Sequence, residues 1–562
     1  MSFFPRLVAA VVIMLSAQSA LVCQTRETDS LALRDFYQAL NGGAWKSSTN
    51  WNSDRPVHEW FGVRCDSVSG RVTAIDLEAN GLEGELPPSL TSMTALQALR
   101  LSSNQISGGL PADIGSLVEL TLLRLSGNML TGSIPPSIAK CPKITTILLT
   151  NNNLTGEIPP ELGQLPNLFT LNLPGNSLTG TIPATFAGLK ALRVLNLGTN
   201  ELSGEIPDVI YQLDSVSSLY LGRNNFTGEL SPKIGRLIRL ATLDLRHNNL
   251  KGRIPVELRN LKRLQTLNLE FNAFEGTIPP ELCELPNLSM LDLTSNKLSG
   301  TIPDSIGSLA RLAYLQLDQN ELTGVFPVSM KNLTRIRGVY AHQNLLTGGL
   351  ENFPDKNLDS VSINNNAFDF AALLQSSVQA TVFPYAPQDS VGSSEVQSLQ
   401  SGVQLRINSG TRHAEGNVYE WSKDGEVLPD QHDSILVVNR VESADAGVYS
   451  CAVTNARFFL LTLHRRAVVV AVDQPSSVTT ASSRQQLVSP SLLVDQMTIT
   501  IDERVSLPCT VIMTNNHGAC VLRTSISASP AQLSMHGIGS GYYVVSVSNN
   551  QTSVSQRVMV VR

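Results

Sequence analysis

Side chains that could do chemistry are plentiful in this 562-residue chain, but their types and spacing match no known catalytic pattern. With 47 Asp and Glu residues, some carboxylate pairs at short spacing are expected by chance, and the eight His residues are spread over different segments. The sequence contains no GxSxG, HExxH or CxxC motif and no glycine-rich phosphate loop after a strand. The seven cysteines lack metal-ligand spacing. We therefore predict a protein that is not an enzyme and that binds neither a cofactor nor a metal ion.

Another set of side chains is suited to binding, and it is defined by its distance from a recurrent Asn. The positions six, four, two and one residues before that Asn carry small or neutral residues in the first repeats, such as Ser102, Ser126 and Gly198. In later repeats the same positions carry aromatic, Arg and acidic residues, and aromatic and Arg residues are enriched at interface hot spots. We predict that these residues form one ligand-binding stripe: Tyr220, Arg223, Asp244, Arg246, His247, Glu270, Phe271, Asp292, Tyr314, Gln316, Asp318, Tyr340, His342 and Gln343. The open alternative is a solvated face without a ligand.

The element that must position this stripe is a repeat of 24 residues. An Asn recurs at that spacing in twelve copies from Asn80 to Asn344, and Asn366 follows at a spacing of 22. Around each Asn the frame is LxxLxLxxNxLxGxIPxxxGxL, and residues 168–189 form one copy. A unit this short cannot bury its own apolar face, so neighbouring units must stack into a solenoid.

Each position of the frame has a physical role. Leu171 and Leu173 alternate on a short strand and point into the core. The amide of Asn176 can bond the backbone groups that the following turn leaves unpaired, and stacked Asn residues would form a ladder. Gly180 permits a backbone conformation that a β-carbon would block. Pro183 restricts the return segment to an extended or short helical geometry.

The LxGxIP frame resembles the plant-type leucine-rich repeats that also occur in secreted bacterial proteins. This resemblance covers residues 71–370, and it implies a twisted solenoid with a parallel sheet on the concave side and a second short strand after each Asn. Residues 23–70 resemble the N-terminal cap of such solenoids, although His58 stands where the family usually has a second Cys to pair with Cys65. The cap residues expected to cover the first repeat are Phe36, Tyr37, Trp45, Trp51, Trp60 and Val63.

Residues 383–472 resemble an immunoglobulin-like domain. Trp421 occupies the place of the core Trp, and the DxGxYxC signature falls on residues 445–451 with Tyr449 at the tyrosine corner. The first Cys of such domains is missing, because only Leu405 and Ile407 point inward in the corresponding strand. We therefore expect Cys451 to be a buried thiol beside Trp421.

Residues 473–486 are rich in Ser, Thr and Gln and are expected to form a linker. The last block, residues 487–562, resembles the C-terminal sorting domain of the type IX secretion system. That resemblance implies that the outer-membrane secretion machinery recognises this block, and the alternative is an ordinary small β-domain. Cys509 and Cys520 could pair, which the sequence does not decide. The predicted fold class is thus an α/β leucine-rich-repeat solenoid followed by an all-β immunoglobulin-like sandwich and a small all-β C-terminal domain.

Residues 1–22 have the composition of a signal peptide, with Arg6 before an apolar run and small residues at the expected cleavage site. A lipid-modified Cys23 is the alternative, and no later stretch is apolar enough for a membrane span. The net charge of -6 gives no basic field for nucleic acid. We expect a secreted or outer-surface protein that binds an extracellular protein or glycan. The alternatives are a structural spacer without a ligand and a receptor-type ectodomain.

Overall fold

The computed structural model describes residues 27–376 and 378–473 and six strand segments between residues 496 and 560. Its largest element is a 15-stranded sheet, parallel except at its first strand, which gains one strand per repeat. These strands are Val63–Cys65, Val72–Asp76, Ala98–Arg100, Leu122–Arg124, Thr146–Leu148, Thr170–Asn172, Val194–Asn196, Ser218–Tyr220, Thr242–Asp244, Thr266–Asn268, Met290–Asp292, Tyr314–Gln316, Gly338–Tyr340, Asn357–Ser362 and Gln379–Val382.

The Leu and Asn positions of the frame hold these strands together as predicted. Leu171 pairs in register with Ile147 on one side and Leu195 on the other, and all three are fully or almost fully buried. The Asn200 amide donates to the carbonyl oxygens of Leu173 and Leu197, at 3.1 Å each, and its oxygen accepts from the backbone of Leu178. The same three bonds recur along the solenoid, so the Asn ladder is confirmed.

A second row of short parallel strands follows the Asn turns, and a single 3-10 turn completes each repeat. The row consists of Glu83–Glu85, Gln105–Ser107, Thr131–Gly132, Asn153–Glu157, Ser177–Thr179, Ser203–Glu205, Asn225–Glu229, Asn249–Arg253, Ala273–Gly276, Lys297–Thr301, Glu321–Val325 and Leu345–Gly348. The segment after the Pro of the frame forms a 3-10 turn, such as Pro160–Gln164, which is the usual use of this helix in short connecting pieces.

The helical elements of the described residues are short. The α-helices are residues 27–39 and Phe370–Leu374. The 3-10 turns are Gly42–Ala44, Val57–Glu59, Pro88–Ser92, Ile114–Ser116, Pro136–Lys140, Pro160–Gln164, Ala184–Gly188, Asp208–Gln212, Pro232–Arg236, Val256–Asn260, Pro280–Glu284, Asp304–Ser308, Val328–Asn332, Leu350–Asn352, Ser443–Asp445 and Ala456–Phe458.

The N-terminal end of the solenoid is covered by packed aromatic rings. Trp51 contacts Trp45 and Trp60 at ring-centre distances of 4.9 and 5.2 Å, and Phe36 lies against both Trp45 and Trp51. The predicted cap residues are buried apart from Tyr37, which is half-buried. Aromatic packing therefore shields the first repeat.

The main sheet extends past residue 370, where the sequence periodicity ends. Strand Gln379–Val382 pairs in parallel with Asn357–Ser362, so backbone pairing continues where the Leu frame is already lost. Asn366 nevertheless keeps the ladder contacts, because its amide donates to the carbonyl oxygens of Ala341 and Ile363. The solenoid thus ends about one strand later than its sequence frame.

The chain then forms an all-β region with two sheets. One sheet contains Glu395–Gln400, Asn417–Lys423, Glu426–Val427, Gly447–Asn455, Thr462–His464 and Val468–Asp473, and the other pairs Leu405–Asn408 with Ile435–Val438. The Tyr449 hydroxyl donates to the Asp445 carbonyl at 2.7 Å, which is the hydrogen bond expected of a tyrosine corner. Cys451 is buried, forms no disulfide and pairs in register with Trp421.

This all-β region packs directly against the last repeats. Asp369 caps the helix Phe370–Leu374 by accepting from the backbone of Ala372. Both of its oxygens also accept from the Arg412 guanidinium at 2.9 Å, and one accepts from the Arg412 backbone. Phe458 stacks on Phe370 with a ring-centre distance of 5.9 Å. The β-region therefore covers the C-terminal end of the solenoid.

The remaining C-terminal strands form a separate compact unit within residues 475–562. Their backbones make a four-stranded antiparallel sheet from Cys509–Asn515, Cys520–Ile526, Gly541–Ser548 and Ser553–Val560, and Gln496–Ile499 pairs with Ala531–Ser534. The register sets Cys509 opposite Ile526 and Cys520 opposite Thr514. The side chains of Cys509 and Cys520 lie outside the described residues, so the possible Cys509–Cys520 disulfide stays a prediction.

The predicted signal peptide and most of the predicted linker lie outside the described residues. Within the described part of the chain, no helix is long and apolar enough to cross a membrane.

Candidate functional site

The predicted stripe occupies two different places on the solenoid. Residues six, four and two positions before each Asn project from the concave face of the main sheet, and most of them are half-buried. Residues one position before each Asn lie at the edge where the strands end, because the backbone turns there with a positive φ. The set with positive φ includes Arg223, His247, Phe271 and Gln343. We call this edge the rim.

The rim carries one aromatic stack in the middle of the solenoid. The His247 ring lies parallel to the Phe271 ring, with centres 4.4 Å apart and an interplanar angle of 12°. The two residues occupy equivalent positions in adjacent repeats, so the stack follows the repeat axis. Burial and the nearby Arg223 and Arg246 lower the pKa of His247, which favours the neutral imidazole.

On the concave face beside this stack lies an ion pair that depends on a glycine. Asp244 is 3.3 Å from the Arg246 guanidinium and accepts from the Arg246 backbone at 3.1 Å. A β-carbon at Gly222 would come within 2.7 Å of an Asp244 carboxylate oxygen and 2.9 Å of Arg246 Cγ. Burial raises the pKa of Asp244, and Arg246 opposes that effect. Gly222 thus provides the space that this pair occupies.

Asp292 lies deeper and is only 3% exposed. It accepts from the Thr294 backbone at 3.1 Å and from the Asn268 side chain at 3.4 Å. Burial raises the pKa of Asp292. Asp292 is therefore held by neighbouring strands rather than presented to solvent, and it forms the floor between the two halves of the stripe.

Asp318 and His342 form a close polar contact on the face. His342 Nδ1 lies 2.5 Å from Asp318 Oδ1, and the His342 backbone donates to the same oxygen. Burial, reinforced by Asp292, raises the pKa of Asp318 to about 6. The Ser362 hydroxyl lies 3.4 Å from the same ring nitrogen. A catalytic triad needs the hydroxyl and the carboxylate on opposite ring nitrogens, so this trio does not match one.

Two tyrosine rings converge next to this contact. Tyr314 and Tyr340 lie on the strands of repeats eleven and twelve, and both are half-buried. Between them Gly338 is buried, and a β-carbon there would come within 2.8 Å of Tyr340 Cε2 and 3.0 Å of Tyr314 Cδ1. The Arg337 guanidinium lies 6.0 Å from the centre of the Tyr314 ring. We call Tyr314 and Tyr340 the tyrosine pair.

Several residues that shape this face are not among the predicted stripe residues. Gly338 departs from the larger side chains usual at its position, and that departure is a signal in the sequence. Gly222 carries no such signal, because Gly198 occupies the same position one repeat earlier. Asn268 and Arg337 could not be identified in the same way, because their roles depend on contacts with residues about one repeat away.

The arrangement can recognise a ligand through amphipathic rings, an acidic floor and hydrogen-bonding side chains such as Gln316. Aromatic side chains offer large contact areas at a low cost in conformational entropy. Within the described residues, no three His, Cys, Asp or Glu side chains are placed to hold a metal ion.

Family models match much of the repeat region and the C-terminal block. Two family models described as leucine rich repeat match residues 166–226 and 285–346, and residues 95–117, 119–141, 143–165, 239–261 and 263–285. A third, described as the secretion system C-terminal sorting domain, matches residues 490–561.

Several of the similar proteins are described as receptors or receptor kinases. A putative receptor-like protein kinase of Arabidopsis thaliana is 34% identical over 99 residues, which are 16% of this chain and 10% of that protein. A crystal structure of PEPR1–AtPEP1 is 25% identical, covers 66% of this chain and 59% of that one, and has a TM-score of 0.54. The Arabidopsis receptor kinase HAESA, in complex with the peptide hormone IDA and the co-receptor SERK1, is 28% identical over 66% of each chain, with a TM-score of 0.51. The chain thus spans a tenth of the kinase and about three fifths to two thirds of these structures.

Proposed function

Because this chain is a leucine-rich-repeat protein that carries a secretion-system C-terminal sorting domain, we propose that it is an extracellular recognition protein. It is secreted or exposed at the outer cell surface, and we propose that its concave face binds an extended polypeptide segment at repeats ten to twelve. The observation that carries this proposal is the convergence of the tyrosine pair over the buried Gly338.

Three features of the site support a peptide ligand. The tyrosine pair supplies two half-buried rings that a side chain of the ligand can cover. The His342 ring beside them is partly exposed and is held by the buried Asp318 carboxylate, so it can form hydrogen bonds with a ligand. HAESA, whose repeats are similar, is described in complex with a peptide hormone. A rigid sheet that presents such groups needs little reorganisation on binding.

The role is recognition rather than catalysis. The Ser362 hydroxyl and the Asp318 carboxylate approach the same His342 nitrogen, which provides no route for proton transfer from hydroxyl to carboxylate through the ring. The catalytic motifs sought in the sequence are absent as well.

Selection from a random peptide display library on the purified secreted protein would test the proposal. We expect the selected peptides to bind the Tyr314→Ala/Tyr340→Ala variant at least tenfold more weakly, because the loss of two hot-spot rings removes more than about 1.4 kcal/mol. The matched control is Tyr220→Ala, since Tyr220 occupies the same repeat position as Tyr340 five repeats earlier and is also half-buried.

Two results would contradict the proposal. Peptides that bind wild type and the double variant equally would place the site elsewhere. Failure to select any peptide, combined with binding to a glycan array that the tyrosine pair controls, would assign the face to glycans instead.

A further inference from the structure

The edge of the main sheet opposite the rim carries a row of arginines. In each repeat a tight turn joins the 3-10 turn to the concave strand, and a backbone bond such as Leu240 to Leu237, at 2.8 Å, closes it. The third residue of this turn is Arg in four of five successive repeats, and Asn287 takes that place in the middle one. We call this set the arginine edge: Arg239, Arg263, Arg311 and Arg335.

The four arginines form a straight row of regular spacing. Their turns precede strands that pair in parallel without a register shift, from Thr242 through Thr266 and Met290 to Tyr314 and Gly338. Neighbouring strands lie about 4.8 Å apart, so the row from the first to the last arginine spans about 19 Å along the solenoid axis. All four side chains are exposed.

No acid within the described residues neutralises this row, since none of its four guanidinium groups forms an ion pair or a side-chain hydrogen bond there. Two acids of neighbouring segments are already engaged. Glu284 pairs with Lys262, and Asp359 pairs with Arg337. Like charges on adjacent strands repel each other, so the row carries a cost that an external anion would remove.

The same turn position is compensated earlier in the solenoid. There Glu119 and Lys143 occupy equivalent places in adjacent repeats and pair with each other. The uncompensated row is also not a consequence of composition, because the whole chain has a net charge of -6. The exposed Asp214 and Asp355 lie just beyond its two ends, so the positive segment has defined limits.

We propose that the arginine edge binds an extended acidic polysaccharide, with uronate or sulfate groups along the row of guanidinium groups. The planar guanidinium offers paired donors that match the oxygens of a carboxylate or a sulfate. An extended glycan repeats its charged groups at a regular interval, as the row repeats its arginines. The neutral Asn287 lies in the middle of the row, so an uncharged sugar can lie opposite it. Its amide donates to the Lys262 carbonyl.

Single-stranded nucleic acid fits this edge less well. Proteins that bind single strands combine positive charge with aromatic side chains on which bases stack. The four arginine turns contain no aromatic residue, since their third residues are preceded by Ile238, Lys262, Ala310 and Thr334. Export to the cell surface also brings the protein into contact with extracellular polysaccharides.

The test measures binding of polygalacturonate and dextran sulfate to the secreted protein at low ionic strength, with neutral dextran as the reference. We expect the quadruple variant R239Q/R263Q/R311Q/R335Q to lose about tenfold or more in affinity, and wild-type binding to weaken as salt is added. The matched control, Lys140→Gln/Lys251→Gln/Arg253→Gln/Lys297→Gln, removes the same charge from other exposed positions and should keep its affinity within about twofold.

Several outcomes would overturn the proposal. Equal losses in the two quadruple variants would show a response to net charge alone. Tighter binding of a single-stranded oligonucleotide, or of anionic phospholipid vesicles, than of either acidic glycan would assign the edge to that partner. Absence of glycan binding at low ionic strength would exclude it. The Tyr314→Ala/Tyr340→Ala variant should bind the glycans as wild type does. A failure of the arginine-edge proposal is therefore distinguishable from a failure of the proposed peptide site.

Discussion

Tyr340 covers Gly338 so closely that a β-carbon at residue 338 would stand 2.8 Å from Cε2 of its ring. The glycine has no positive φ, so its backbone does not require glycine. Its small size is needed because the tyrosine pair occupies the volume that a side chain would fill.

The substitution Gly338→Ala should therefore displace the tyrosine rings without disturbing the strand. We expect the affinity for a peptide selected on the wild type to fall several-fold, while the stability changes by less than about 1 kcal/mol because half-buried rings can move toward solvent. Titration of the peptide and thermal unfolding would measure the two effects. Gly43→Ala is the control, since a β-carbon there meets nothing within 4 Å. Unchanged affinity in Gly338→Ala would show that the ring positions do not matter.

The Asn ladder should be sensitive to single substitutions. Asn200→Ala leaves the Leu178 N–H and the Leu173 and Leu197 carbonyl groups without their side-chain partner. Unsatisfied buried groups cost about 1–3 kcal/mol each, so we expect a loss of about 2–4 kcal/mol in the free energy of unfolding, measured by urea denaturation. The exposed Asn249→Ala is the control and should lie close to wild type. Equal free energies of unfolding for Asn200→Ala and Asn249→Ala would show that the ladder hydrogen bonds do not stabilise the fold.

The contact between Asp369 and Arg412 should stabilise the packing of the β-region against the last repeats. Arg412→Ala removes the partner of a carboxylate whose side chain is only 11% exposed. Because the guanidinium itself is about half exposed, we expect a loss of about 1–2 kcal/mol. Amide hydrogen exchange should become faster in Leu345–Gly348 and Phe370–Leu374. Arg406→Ala, an exposed arginine of the same region, should leave these rates unchanged. Unaltered exchange in Arg412→Ala would mean that aromatic packing alone holds the junction.

The raised pKa of Asp318 predicts a pH dependence of stability. A carboxyl group whose pKa is higher in the folded chain than in the unfolded chain stabilises the fold fully below about pH 4, and that contribution is lost as the pH rises to about 6. This difference between the folded and unfolded pKa of Asp318 corresponds to at most about 3 kcal/mol in the free energy of unfolding. In Asp318→Asn the side chain stays neutral, so its Tm relative to wild type should rise between pH 4 and pH 7. Thermal unfolding across that pH range measures this change in relative Tm. A difference in Tm between the two proteins that does not change with pH would contradict the prediction.

The periodic contacts were predictable from the sequence because they depend on one residue type at a fixed interval. The Asn ladder and the Leu core are of this kind, and each repeat supplies the same evidence. The division of the stripe between the concave face and the rim was not predictable from the sequence. Residues such as Arg223, His247 and Phe271 rarely adopt a positive φ, and only the turn shared by all repeats places them on the rim.

The contact between the solenoid and the β-region was not predictable for another reason. Arg412 and Asp369 are 43 positions apart and share no repeat frame, so no sequence pattern encodes their contact. His342 and Asp318, in contrast, occupy the same frame position in adjacent repeats, and the 24-residue period places them side by side.

The unshifted register of the main sheet has a consequence for how such a protein can change in length. A duplication or deletion of 24 residues before repeat ten adds or removes one strand and leaves both ends intact. The tyrosine pair, by contrast, lies within two strands of the segment that the Asp369–Arg412 contact fixes. The register therefore allows repeats to be added or removed near the N-terminal end while the separation between the tyrosine pair and the β-region stays unchanged.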